Sequence, residues 1–222
     1  MRVGAGDTGR GLVLVALVAG LVTGCGAAEP DTGATASASA GDGAARTAAA
    51  AGGVVSGGSV GAAGSACELP VTFDLAAKWE AESVAGGGQD VPDEVADLIL
   101  RQGPVTAACE VDAKPAGHIG FLRVWTGEPA TSDARAVLEE FLAAEKGVSA
   151  ERYGSFRAGG LTGTEVRYLF TSELLDGTKT ERALAVTTPD GPVVLHLGGL
   201  DTAEHEAMLP AYELAKRTLR AS

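Results

Sequence analysis

The chain has 222 residues, 45% of them hydrophobic but only 5% aromatic, and its 29 acidic and 17 basic side chains give a net charge of −12. A chain this acidic, with no basic stretch, is ill suited to a phosphate backbone, which excludes nucleic acid as a partner. Its 32 glycines are crowded toward the N-terminal third, so the chain divides into segments of different composition.

The first segment carries Arg2 and Arg10 against Asp7 and then runs without charge from Gly11 to Val22. That run is too short for a membrane span, which needs about 20 residues, but suits the h-region of a signal peptide. Small Thr23 and Gly24 precede Cys25. Val22-Thr23-Gly24-Cys25 resembles the lipobox of Sec-exported bacterial lipoproteins. The resemblance implies that residues 1–24 are a signal peptide and that the Cys25 thiol carries diacylglycerol. The new amine is often acylated, with palmitate as the typical chain. The first partner is then the membrane itself, through the lipid on Cys25, and the protein sits extracytoplasmically at the outer face of the plasma membrane. At about 0.8 kcal/mol per buried CH₂, two or three acyl chains anchor stably where one does not. Gly4 to Gly9 satisfies a dinucleotide-loop pattern, but no strand precedes it and it leaves with the signal peptide.

Residues 25–66 hold the lipidated cysteine and a Gly/Ala/Ser/Thr segment with no aromatic residue. Such a composition buries too little apolar surface to offset its ordering entropy, so it reads as a disordered tether with a reach of roughly 35 Å. Residues 67–222 are long enough for one globular domain. With Cys25 committed to lipid, Cys67 and Cys109 remain as an even pair in an oxidising compartment, and a disulfide between them is expected.

Within the domain, Val71 to Leu75 reads as a strand with Trp79 to Val84 returning beside it. After Gly86-Gly87-Gly88, Asp93 can cap a short helix striped by Val95, Leu98 and Ile99. Val105 to Asp112 and His118 to Thr126 form two strands across a Lys114-Pro115-Ala116-Gly117 turn. In the second, Ile119, Phe121 and Trp125 face one way, and Leu122 and Val124 the other. A helix capped at Thr131 or Ser132 buries Ala134, Val137, Leu138, Phe141 and Leu142 and stops at Gly147. Four strands follow, near Tyr153 to Phe156, Gly163 to Ser172, Thr180 to Thr188 and Pro192 to Leu197, with Asp176-Gly177 and Pro189-Asp190-Gly191 as turns. A last helix opens at Asp201, with Glu204 placed for a capping box, and its inner face is Met208, Tyr212, Ala215 and Leu219, with a kink or restart at Pro210. The order predicts an α+β fold, an antiparallel sheet flanked by helices.

Phe73-Asp74-Leu75-Ala76-Ala77-Lys78-Trp79 is similar to the F-x-x-P-x-x-W type opening of PsbP-like domains, including those of actinobacterial lipoproteins. This resemblance implies an α/β/α sandwich over most of residues 67–222. It also implies a noncatalytic role as accessory subunit, assembly factor or interaction module, and carries over no site residues.

Catalytic motifs are absent. His205-Glu206 begins H-E-x-x, but Leu209 stands where a zincin needs its second histidine, so His205 is expected to be solvated on the last helix. His118 and His196 are expected at strand edges or on sheet faces. Glu110 and Asp112 read as two exposed carboxylates, and Glu139, Glu140 and Glu145 as the wet side of their helix. There is no G-x-S-x-G, P-loop or EF-hand. No metal site and no cofactor is expected. Two functions remain: a noncatalytic domain that binds or assembles with a cell-envelope protein, or a small-molecule or cation binding lipoprotein serving a transporter or sensor. A cryptic hydrolase is the third and weakest. The ligand reading requires a closed apolar pocket, for which Trp125 and His118 are the candidate lining; the protein-binding reading requires a solid core and an exposed apolar patch.

Overall fold

The computed structural model describes residues 54–84, 100–172 and 177–222. The expected signal peptide, Cys25, most of the expected tether, the helix expected after Asp93, and Asp176 lie outside these residues. In chain order the elements are β1 (Ser56–Val60), β2 (Val71–Ala76), β3 (Glu80–Ser83), β4 (Arg101–Gln102), β5 (Val105–Asp112), β6 (Gly120–Thr126), α1 (Ala134–Ala143), β7 (Val148–Ala158), β8 (Leu161–Ser172), β9 (Gly177–Thr188), β10 (Gly191–Gly199), α2 (Thr202–Thr218) and β11 (Arg220–Ala221).

The main sheet runs β3-β5-β6-β10-β9-β8-β7, with β4 added to β5, and every pair in it is antiparallel. Central β10 is buried along its whole length, as a strand covered on both faces must be. Helix α1 lies on one face, where Val137, Leu138 and Phe141 pack with Trp125, Val166, Tyr168 and Val194. Helix α2 lies on the other, where Met208, Tyr212 and Ala215 pack with Leu122, Val124, Leu184, Leu195 and Leu197. A three-stranded sheet, β1-β2-β11, joins this second layer through Val60, Val71 and Phe73. The architecture is the expected α+β fold with helices on both faces.

Local chemistry sets the helix ends. The Asp133 carboxylate accepts from the Ala136 N–H at 2.9 Å, placing the α1 cap just after the expected Thr131 or Ser132. Asp201 accepts from the Glu204 N–H at 2.8 Å. Glu204 does not return the bond but turns to His118. Helix α2 continues through Pro210.

Two expectations are corrected. The strand after Trp79 does not return beside β2; β3 pairs with β5. Order also does not begin at Cys67, because β1 pairs antiparallel with β2 from inside the segment read as tether. The glycines that suggested disorder are needed here. Gly61 has φ +106, and a Cβ on it would collide with the Val71 carbonyl. The Gly61 N–H donates to the Cys67 carbonyl at 3.1 Å, and the Gly61 carbonyl accepts from the Leu69 N–H at 2.9 Å.

Cys67 and Cys109 are joined in a disulfide, with their Cα atoms 5.9 Å apart. A register shift between Ala107 and Cys109 makes this possible. Before it, Val105 and Ala107 face α1; after it, Cys109 and Val111 face the opposite layer, where Cys67 lies. A bulge re-aims side chains in this way.

Candidate functional site

Strand β9 enters the sheet as Lys179-Thr180-Glu181, and alternation turns Lys179 and Glu181 to the α1 face. Glu181 stands directly opposite Tyr168 on β8, and His196 on β10 stands opposite Ala183. Glu181 is only 3% exposed, so its charge must be met by partners. Tyr168 Oη donates to Glu181 Oε2 at 3.0 Å, and His196 Nε2 lies 2.9 Å from the same oxygen. Because a carboxylate only accepts, Nε2 is the ring nitrogen that carries the proton. Lys179 Nζ binds Glu181 Oε1 at 2.7 Å and donates to the Gly199 carbonyl, also at 2.7 Å. Burial pushes the Glu181 pKa up, but the hydrogen bonds and charges of His196 and Lys179 outweigh it and hold the group at about 2.

Glu145 follows α1 in the chain and has one buried oxygen, Oε2, without a hydrogen-bond partner. Burial raises its pKa, partly offset by the His196 charge, while the Glu181 charge adds to the rise. Glu145 is therefore not on the wet side of the helix, as its sequence neighbours suggested. Tyr168 is held well above its usual 10, first by burial and then by the charges of Glu181 and Glu145. Phe141 covers the His196 side of the network, its ring meeting the imidazole edge-on at 6.0 Å. It ties β8, β9 and β10 together.

Beside this network lie two clefts that share Lys179 and Leu200. One, of about 310 Å³, is lined by Ile119, Phe121, Asp112, Lys114 and Glu110 among others; the second, of about 330 Å³, is lined by Phe170, Thr178 and Asp201. Phe121 lies over Gly198, where a Cβ would come within 2.9 Å of its ring. The Arg123 guanidinium covers the same ring at 4.4 Å and is held by Glu110, which is thereby paired rather than free. Ile119 and Leu200 are 55% and 54% exposed, and the Leu200 N–H donates to the Ile119 carbonyl at 3.1 Å.

The structure separates the expected pocket residues. Trp125 points to the α1 face, is 4% exposed, and meets Phe141 at 5.4 Å in an edge contact. His118 precedes β6 at its other end and binds Glu204 in the first turn of α2 at 2.8 Å. Being at opposite ends of one strand and against different layers, they line no common pocket.

His196 is a sheet-face residue, as expected, whereas His205 is fully buried against Gly199 instead of solvated. Its place on the Met208, Tyr212, Ala215 stripe was the available signal. Lys179, Glu181 and Tyr168 carried no signal beyond period-two alternation. Among the described residues no three His, Cys, Asp or Glu side chains converge to hold a metal. No described helix is long and apolar enough to cross a membrane.

No curated protein matches the chain in sequence. Among solved structures it is similar to the solution structure of cyanobacterial PsbP (CyanoP) from Synechocystis sp. PCC 6803. The TM-score is 0.47 and the identity 13%, over 74% of this chain and 98% of that one. The sequence profile of a family described as "uncharacterised lipoprotein" matches residues 34–219. The chain belongs to that lipoprotein family and is a membrane-anchored, extracytoplasmic protein.

Proposed function

We propose that the protein is anchored through lipid on Cys25 at the outer face of the plasma membrane and that its domain is a noncatalytic module that docks a cell-envelope protein. The observation that carries this reading is the Ile119–Leu200 pair: two large apolar side chains, more than half exposed and adjacent through a backbone hydrogen bond. Singly exposed apolar residues are ordinary, but a paired patch beside clefts is what an interaction surface presents. The Glu181 network behind it, buried except at Lys179, gives the patch a rigid floor. A small-molecule carrier would need an enclosed pocket, and the clefts at Lys179 open to solvent.

Photocrosslinking in intact cells tests this. A crosslinker at Leu200 should capture one reproducible protein that a crosslinker at exposed Glu128 does not, and Leu200→Asp should abolish binding of that protein. Equal or irreproducible capture at both positions refutes the docking site. In the same cells Cys25→Ala should leave the membrane fraction; unchanged fractionation refutes the anchor.

A further inference from the structure

On the sheet face that carries α2, the register places three arginines in one row. Arg152 on β7 is directly opposite Arg167 on β8, and Arg167 is directly opposite Arg182 on β9. Directly opposed side chains in an antiparallel pair lie about 5 Å apart at Cβ, and like charges there repel. Each arginine stands fifteen positions after the one before it in the chain, so only strand pairing brings them together.

The compensation within the protein is incomplete. Arg182 has distant partners, Glu165 at 3.7 Å and Glu213 at 3.8 Å, and its Nε is buried with no acceptor. Glu165, a carboxylate on the row's own face, is also held at 3.2 Å by Lys216. Arg152 and Arg167 have no ion pair among the described residues. Both line a cleft of about 230 Å³, together with Ala150 and Leu169. A bulge between Ser149 and Arg152, with Ala150 at φ +56, sets the local aim of the edge strand.

We propose that Arg152 and Arg167, backed by Arg182, form a binding site for a phosphoryl oxyanion. Two guanidinium forks match two edges of a tetrahedral phosphate, and such charge-assisted bonds are geometrically specific. The bound anion relieves the repulsion along the row. Because the protein is strongly acidic overall, its long-range field does not recruit anions, so binding depends on the local fork geometry. A lipid headgroup and a soluble phosphate ester share this chemistry.

The test is calorimetric titration of inorganic phosphate into the full chain at low ionic strength. Saturable binding is expected, weakened about tenfold or more by Arg152→Gln and by Arg167→Gln. Arg167→Lys, which keeps the charge but loses the fork, should fall between. Exposed Arg152 on an edge strand can be replaced without disturbing the core, and unchanged circular dichroism checks each variant. No saturable binding, or equal binding by wild type and both Gln variants, overturns the proposal. Flotation of the Cys25→Ala chain with phosphatidylglycerol vesicles but not phosphatidylcholine vesicles, lost in Arg167→Gln, assigns the site to a lipid headgroup. Phosphate binding without flotation assigns it to a soluble ester.

Discussion

Acidification tests the burial of His205. The ring is fully buried, neither ring nitrogen reaches hydrogen-bond geometry, and a weak backbone contact to Leu197 favours its charged form. Burial first, and the Arg182 charge second, lower its pKa from 6.5 to about 4. Between those values the unfolded chain binds a proton that the folded chain refuses. The stabilisation is therefore complete above pH 6.5, falls as pH drops, and is gone below about pH 4. At 1.36 kcal/mol per pKa unit it amounts to about 3 kcal/mol, of which about 2 kcal/mol is lost by pH 5. His205→Leu removes the titrating ring at nearly constant volume and leaves no unpaired nitrogen, so its stability at neutral pH should be close to wild type or higher. Urea unfolding followed by the fluorescence of buried Trp79 and Trp125 at pH 7, 5 and 4 gives the two stability curves. Their difference isolates His205, because the raised Glu145 pKa acts in the opposite direction but equally in both proteins. Glu181, held at about 2, titrates mainly below this window. Wild type should lose about 3 kcal/mol more than the variant between pH 7 and pH 4. Parallel curves would refute the buried, neutral imidazole.

Glu181→Gln leaves Lys179 and His196 facing a neutral amide and should cost about 3 kcal/mol at neutral pH by urea denaturation; a loss below about 1 kcal/mol would mean the network is weakly coupled. Gly61→Ala forces a Cβ toward the Val71 carbonyl at positive φ and should cost about 1–3 kcal/mol, with amide exchange accelerated first in β1 and β2. Replacing Cys67 and Cys109 together by Ala opens a loop of sequence separation 42, which chain entropy values at about 4 kcal/mol. An unchanged urea midpoint would show that the unfolded chain is already constrained there.

The elements with strong local signals were legible. Helix α1 showed its five buried positions by periodicity, and α2 showed its Asp201 cap and inner stripe. The hairpins of β8, β9 and β10 followed from their turn residues and alternation. Composition misled where it was averaged over a long window. The segment up to Cys67 is glycine-rich, yet five of its residues need only a neighbouring strand edge to become β1. His205 lies three residues before Met208 on the buried stripe of α2, so helical periodicity, and not the adjacent Glu206, sets its burial.

By itself the sequence determined what depends on contiguous residues: an acidic chain, one cysteine pair within the domain, and the approximate places of the two described helices and of the closing hairpins. Tertiary structure decided everything that depends on register. The Ala107/Cys109 bulge turned Cys109 toward Cys67, and alternation along β6 sent Trp125 away from His118. Pairing of β8, β9 and β10 assembled Tyr168, Glu181 and His196, and pairing of β7, β8 and β9 aligned Arg152, Arg167 and Arg182. The physical reason is the two-residue period of a strand: a shift of one residue exchanges its faces, and no local property of the chain records that choice.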